Sequence, residues 1–346
     1  MKIGIATVQV PFIRGGAEIL AESLRAELRA RGFEAEIISM PFKWYPPERI
    51  LDAMIAARLL DVTEVNGNPI DRLITLKFPA YHFEHPHKTA WLLHQHRQAY
   101  DLYGTEFGDL HQSQTGRAVA REILRWDNAM FPRHRALYTI ADTVTERLRH
   151  HNGLQAQTLY HPPGGHERFR CDGYDPYILV PGRLDSLKRQ HLIIEALAQT
   201  RGLGLVLIGQ TDSVYGRALI ARIAELGLQD RVNVRGMVSE EEKLDLYARC
   251  LAVYNGVYDE DYGYITLEAF LSAKPVIAHT DAGGPLEFIT DRQDGYIVPP
   301  DPEALAPVLA EIAASPSLAR ALGETGRSGL VARGITWDHV IERLLD

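Results

Sequence analysis

The chain has 346 residues, 46% apolar and 24% charged, with a formal net charge of −8 and two cysteines. Such a composition suits a globular protein of about two domains of roughly 150 residues each, and two cysteines without a CxxC exclude a disulfide framework. Residues 1–150 hold 19 basic and 18 acidic side chains, whereas residues 151–346 hold 18 and 27; the acidic second half argues against general nucleic-acid binding.

The opening KIGIATV reads as a strand and PFIRGGAE as a loop. EILAESLRAELRARGF has apolar residues at helical spacing with Gly32 in a stop position, and AEIISM reads as the next strand. This βαβ start predicts a parallel sheet covered by helices. The first residues are too short and too alternating for a signal-peptide core, and no apolar run reaches spanning length, so a reducing cytoplasm is expected. WLLHQHRQAYDLYG has no clear period. Residues 161–176, HPPGGHERFRCDGYDP, have the composition of a linker.

The second half alternates regularly. YILVPGR is a strand, QHLIIEALAQT a helix, GLVLIG a strand, ALIARIAELGL a helix and VNVRGM a short strand. SEEEKLDLYARC is a helix with Ser239 and Glu242 at capping-box positions. LAVYNG is a strand, ITLEAFLSA a helix and KPVIAHT a strand, followed by a short GPLEFI helix, GYIVPP and a helix capped at Asp301-Pro302. The terminal ITWDHVIERLLD reads as a helix with an apolar stripe. This alternation predicts a second doubly wound α/β domain, with ligands bound beyond the carboxyl ends of the strands. The expected domains are 1–165 and 170–331, with a C-terminal helix in 332–346 packing back onto the first.

Several stretches could carry chemistry. In PGRLDSLKRQ, Arg183 and Lys188 lie on a strand-to-helix loop and suit a diphosphate, although a solvated basic loop has the same pattern. Gly15 and Gly16 in PFIRGGAE let the backbone approach a ligand before a helix start; a tight turn fits equally. The stretch matches neither GxGxxG nor GxxxxGK[ST], which counts against a dinucleotide-dependent oxidoreductase and a P-loop. In DEDYGYITLEAF, Glu260 precedes a helix that starts near Gly263, and Glu268 lies just inside it. They would touch different parts of one extended ligand, and a solvated acidic face is the other reading. HTDAGGPLEFI predicts a second amide-rich helix start facing the same ligand. His82, His85, His87, His94 and His96 fall within fifteen residues, but no HExxH or cysteine ligands accompany them. One functional histidine is expected and no metal.

The order of these pieces resembles the retaining nucleotide-sugar glycosyltransferases of the GT-B fold, in particular glycosyltransferase family 4, the group 1 glycosyltransferases. The matching elements are GGAE, PGRLDSLK, EDYGYITLE, KPVIAHTDAGGPLEFI and DGYIVP, strongest over 177–300. The resemblance implies an α/β GT-B fold: two Rossmann-like doubly wound domains facing a central cleft, acceptor side first and donor side second. It implies that Glu268 holds ribose hydroxyls, that Glu260 lies near the donor sugar beside the backbone at Tyr262 and Gly263, and that Arg183 and Lys188 meet the diphosphate. Gly15 and Gly16 would close over the phosphate. His94 would lie beside the sugar, with His96 the competing assignment, and the base would sit near 235–239. Asp261 and Tyr262 replace the GF of the family's EGFG, which reads as subfamily variation.

The function implied is metal-independent, retaining transfer from a nucleotide diphosphate sugar, UDP-linked first and GDP-mannose next. The acceptor would be a glycan or lipid-linked glycan of a surface polysaccharide, placing the protein in the cytoplasm or peripherally at the inner membrane face. No cofactor is expected beyond the donor. A sugar-nucleotide epimerase of the same fold and a non-catalytic nucleotide-sugar binding protein are the alternatives.

Overall fold

The computed structural model describes residues 1–12 and 15–346. The chain forms two units, 1–164 with 336–346, and 165–335. The division falls inside the Pro/Gly-rich stretch 161–176.

The first unit is built on parallel strands β1 (Lys2–Gln9), β2 (Glu34–Pro41), β3 (Arg72–Thr75), β4 (Lys88–Leu92), β5 (Leu137–Thr139) and β6 (Gln157–Thr158), in the order β2-β1-β3-β4-β5-β6. Ile5 lies opposite Ile37 and Ile74. Six successive residues of β1 are buried, as a strand covered on both faces requires. Helices α1 (Gly16–Ala30), α2 (Glu48–Leu59), α3 (Gln114–Met130) and α4 (Asp142–Asn152) accompany it. The α1 helix begins earlier than its apolar spacing predicts, because the Glu18 carboxylate accepts from the Gly15 amide at 2.8 Å. It ends before Gly32, whose φ of +84° reverses the chain.

The aperiodic WLLHQHRQAYDLYG is the end of β4 followed by a mostly buried loop. Its Tyr100 hydroxyl donates to Asp127 at 2.7 Å, beside the Tyr81 hydroxyl at 2.8 Å and His82 Nε2 at 2.9 Å. Asp127 and His82 are fully buried. A buried carboxylate needs such donors, and they come from two stretches of chain distant from Asp127 in sequence, so no local period announces them.

The second unit has parallel strands β7 (Tyr177–Pro181), β8 (Gly204–Ile208), β9 (Val232–Gly236), β10 (Ala252–Asn255), β11 (Val276–His279) and β12 (Gly295–Val298), ordered β9-β8-β7-β10-β11-β12. Its helices are α5 (Gln190–Ala198), α6 (Val214–Glu225), α7 (Glu240–Arg249), α8 (Tyr264–Leu271), α9 (Pro302–Ala314) and α10 (Pro316–Ala332). Ile178, Val180, Leu205, Leu207, Ile193 and Leu309 belong to one apolar core between sheet and helices. Ser239 caps α7 by accepting from the Glu242 amide at 3.1 Å, but the Glu242 carboxylate turns to Arg235 at 2.8 Å. Asp301 caps α9 through the Glu303 amide.

The last helix, α11 (Trp337–Leu345), buries Trp337, Val340, Ile341 and Leu344, the i, i+3, i+4, i+7 stripe visible in the sequence. Trp337 packs edge-on against Trp91 of β4, with centroids 6.2 Å apart, and Arg31 after α1 donates to Asp338 at 3.0 Å. Among the described residues, no single helix is long and apolar enough to cross a membrane.

Burial holds four histidines neutral. Desolvation lowers His96 and His134 to about 3, and His161 and His279 to about 4, from an ordinary 6.5. The unfolded chain takes these protons first as pH falls. Stability is therefore complete above about pH 6.5 and declines toward pH 4, by about 1 kcal/mol per pH unit for each such histidine. Thermal unfolding followed by circular dichroism should give a midpoint that falls steadily across this window; a midpoint unchanged down to about pH 4.5 contradicts the assignment.

Candidate functional site

In the second unit, three loops at the carboxyl ends of β7, β10 and β11 are joined by backbone hydrogen bonds. The Tyr258 amide donates to the Leu187 carbonyl, the Asp259 amide to Asp281 and the Glu260 amide to Ala282, each at 2.8 Å. The Gly284 amide returns to the Glu260 carbonyl at 2.8 Å. This close approach requires glycine at 283, where φ is +73° and a β-carbon would stand 2.7 Å from the Glu260 carbonyl oxygen.

Arg189 ties the same loops through its side chain. Its Nε donates to the Gly256 carbonyl and Nη2 to the Val257 carbonyl, both at 2.8 Å, while Asp281 accepts two bonds at 2.8 and 2.6 Å. Arg189 has φ +48°, in the left-handed region that side chains other than glycine rarely adopt. The fork of buried donors satisfied on all sides is what holds it there. Burial opposes charge on Asp281, but the Arg189 bonds outweigh it and hold the carboxyl below its ordinary value. Behind this tie, His279 Nδ1 donates to the Val298 and Pro299 carbonyls, and its Nε2 accepts from the Tyr254 hydroxyl at 2.8 Å.

On this frame sit the sequence-expected groups. Lys188 ends a short turn capped by Asp185, whose carboxylate accepts from the Leu187 amide at 2.8 Å. Its Nζ donates to Glu260 Oε1 at 2.6 Å, with both side chains about a quarter exposed. Arg183, on the same loop, is exposed. Gly263, at φ +94°, caps α8, and a β-carbon there would meet Pro285 Cγ at 2.8 Å. Glu268, one turn into α8, accepts from Lys243 of α7 at 2.7 Å. Burial works against the charge of Lys243, and Glu268 overcomes it, raising the lysine above its ordinary value.

One expectation changes. HTDAGGPLEFI forms only a four-residue 3₁₀ turn, Gly284–Glu287. Its first amide is taken by Glu260 and Pro285 has none, so a second amide-rich helix start is not present. The Tyr262 ring is buried against Tyr264 and Phe288, at 5.2 and 5.7 Å, so its side chain packs the core and only its backbone can meet a ligand.

In the first unit, Gly15 is the N-cap of α1 and Gly16 its first residue; Ile13 and Arg14 of the expected loop lie outside the described residues. Gly15 has an extended φ of −143°, and among the described residues an added β-carbon would meet only the Glu18 carboxylate, at 3.6 Å, so these contacts do not require glycine there. Glu18 also accepts from Lys77 at 3.1 Å. His94 follows β4, half-buried, and its Nδ1 donates to the Gln95 carbonyl at 2.6 Å. His96 packs into the interior on Phe78, 4.9 Å between centroids. Of the two, His94 is the more exposed. His85 Nε2 donates to the Ile70 carbonyl and its Nδ1 accepts from the His87 amide. Among the described residues, no group of His, Cys, Asp and Glu has the geometry to hold a metal.

Lys243, Arg189 and Asp281 are the residues that sequence reasoning missed. Lys243 sits in a helix read only for its capping residues, and Arg189 follows the loop read for Arg183 and Lys188. No local signal in either stretch points to the distant carboxylates they meet.

Comparison with known proteins places this architecture. The chain aligns over 99% of its length with sucrose-phosphate synthase from Thermosynechococcus elongatus, which it covers to 96%, at TM-score 0.78 and 18% identity. It also aligns over the full length of both chains with Alr3699/HepE from Anabaena, solved with UDP and glucose, at TM-score 0.71 and 17% identity. The fold is GT-B. Residues 166–329 match the family model described as glycosyl transferases group 1. The human alpha-1,3/1,6-mannosyltransferase ALG2 is 28% identical over 166 residues, 44% of this chain and 40% of its own length. The D-inositol 3-phosphate glycosyltransferase of Streptomyces scabiei is 25% identical over 94% of this chain and 84% of its own. The family match spans just under half of the chain, all of it within the second unit.

Asp281→Ala leaves the Arg189 guanidinium, 10% exposed, without its counter-charge. The expected cost is about 2 kcal/mol in urea unfolding, below the roughly 3–5 kcal/mol of a fully buried pair because Asp281 is 34% exposed. Asp52→Ala, which breaks an exposed pair with Arg49, should cost under about 0.5 kcal/mol. Equal costs would refute the anchoring role of the arginine.

Proposed function

We propose that this protein is a retaining, metal-independent glycosyltransferase. It moves a sugar from a nucleotide diphosphate sugar, UDP-linked in preference to GDP-mannose, onto a glycan or lipid-linked glycan in surface polysaccharide synthesis. The observation that carries this reading is the placement of two lysine–carboxylate pairs on either side of the start of α8: Lys188 with Glu260 before it, and Lys243 with Glu268 inside it. A nucleotide diphosphate sugar has a ribose diol, a dianionic bridge and a second polyol, in that order. Glu268 suits the diol, the cations and helix amides the bridge, and Glu260 the sugar.

The chemistry follows from charge. Cleavage of the anomeric bond leaves positive character on the sugar ring and negative charge on the departing diphosphate. Lys188, Arg183 and the amide end of α8 stabilise that leaving group, taking the place of a divalent cation. The acceptor hydroxyl attacks the face the diphosphate leaves, and the diphosphate oxygen takes its proton, so configuration is retained. The Lys188–Glu260 pair opens as the donor binds: the lysine turns to phosphate and the carboxylate to sugar hydroxyls. To Gly15, Gly16 and His94 of the first unit we assign the phosphate and sugar roles that the resemblance implies.

Relatives support the pathway assignment. The lipopolysaccharide core biosynthesis glycosyltransferase LpsE of Rhizobium meliloti is 30% identical over 46% of this chain, and Anabaena HepE has been solved with UDP-glucose. Action at the inner membrane face accords with a lipid-linked acceptor.

Isothermal titration with UDP and GDP should show binding, UDP the tighter. Glu268→Ala should weaken it at least tenfold, about 1.4 kcal/mol. Lys188→Ala should lower the rate of nucleotide release from the matching nucleotide sugar by about a hundredfold while changing nucleotide affinity less than tenfold. Normal binding and turnover in both variants would remove these residues from the site, and rates that collapse on chelation with EDTA would overturn metal independence.

A further inference from the structure

The loop that follows β2 presents aromatic rings whose exposure the core does not explain. Phe42 is half-buried, its ring set against Phe78 at 5.8 Å and His96 at 6.1 Å. Its amide donates to the Gln9 carbonyl at the end of β1 at 2.9 Å, which ties the loop to the carboxyl edge of the sheet. Trp44 lies tilted against Phe42 at 6.4 Å, and Tyr45 stands edge-on to Trp44 at 5.4 Å. Trp44 is 36% exposed and Tyr45 59%, whereas Trp91 and Trp337 are buried. The row thus runs from His96, two residues beyond His94, out to solvent. Its rings are braced on one another, so little ordering is left for a ligand to impose.

We propose that the exposed Trp44 ring, backed by Phe42 and flanked edge-on by Tyr45, is a stacking platform for a pyranose ring of the glycan acceptor, an inference that rests on the glycosyl-transfer reading above. The C–H faces of a pyranose carry slight positive charge and meet the negative face of an aromatic ring, while its hydroxyls point outward in the ring plane. Beside the rings, Lys43 lies with Nζ 4.8 Å from the Tyr45 ring centre and is a donor for those hydroxyls. Charge argues for a glycan rather than a lipid surface. Lys43 and Arg49 are balanced by Glu48 and Asp52, so the loop lacks the net basic cluster that holds a protein on anionic headgroups. The location also fits, since ligands of parallel α/β sheets bind at the carboxyl edge.

The test uses the full chain, fluorescently labelled, on an array of immobilised bacterial-type oligosaccharides, with Trp44→Ala, Tyr45→Ala and Trp44→Phe beside the native protein. Native protein should bind at least one glycan. The two alanine variants should lose at least tenfold of that signal and Trp44→Phe should keep most of it, all with unchanged UDP affinity and melting temperature. A blank array, glycan binding indifferent to both alanine changes, or sedimentation with phosphatidylglycerol vesicles that depends on Trp44 would each overturn the platform. Failure of the donor reading is separate: it appears as absent nucleotide binding, whatever the array gives.

Discussion

The Arg189–Asp281 clasp is the interaction on which the second unit's site depends. A parallel sheet delivers its loops to one edge but does not fix where their side chains stand. Here one buried guanidinium bonds the carbonyls of Gly256 and Val257 and both oxygens of Asp281. That brings the loops after β7, β10 and β11 into register and places Lys188 against Glu260. The left-handed backbone of Arg189 costs energy, which persists because the surrounding bonds over-determine it. Strain of this kind next to a charged pair is a mark of a site built for geometry rather than for stability alone.

The two lysine–carboxylate pairs then have distinct characters. Lys243 and Glu268 join two helices, with Glu268 only 13% exposed, and so hold a carboxylate in fixed orientation at the start of α8. Lys188 and Glu260 are on loops and more open, which suits a pair that exchanges its mutual contact for a ligand. In the first unit, the Asp127 cluster does comparable work for the segment that carries His94. Tyr100, a member of that cluster, also accepts from Asn152 at 3.3 Å, and Asn152 accepts from Gln95 at 2.7 Å. Polar bonds therefore reach from the buried carboxylate to the residue beside His94.

Much of the second unit was legible because its strands are short apolar runs and its helices have clear starts at Ser239 and Asp301. The glutamates and basic residues were picked out by motif order, since spacing alone is unspecific. What could not be read was pairing at long range. Glu268 and Lys243 are 25 residues apart, and Arg189 and Asp281 are 92 apart. GPLEFI forms the short turn of helix expected, but Glu260 takes its first amide across a different loop, so no free amide end is left there. The middle of the first unit was opaque for a related reason: the segments on either side of β4, 76–87 and 93–113, are organised largely by buried side-chain contacts that follow no helical or strand period. Gly15 is the opposite case: its extended backbone and open surroundings among the described residues give the fold no use for its missing side chain.

The central claim is that the carboxyl edge of the second sheet receives the nucleotide diphosphate sugar across the start of α8. A crystal structure of the protein soaked with UDP-glucose tests it most directly. The account predicts ribose hydroxyls on Glu268, diphosphate oxygens within hydrogen-bond distance of Lys188 and the first amides of α8, and Lys188 drawn away from Glu260. A nucleotide bound elsewhere, with Lys188 still on Glu260, would contradict it.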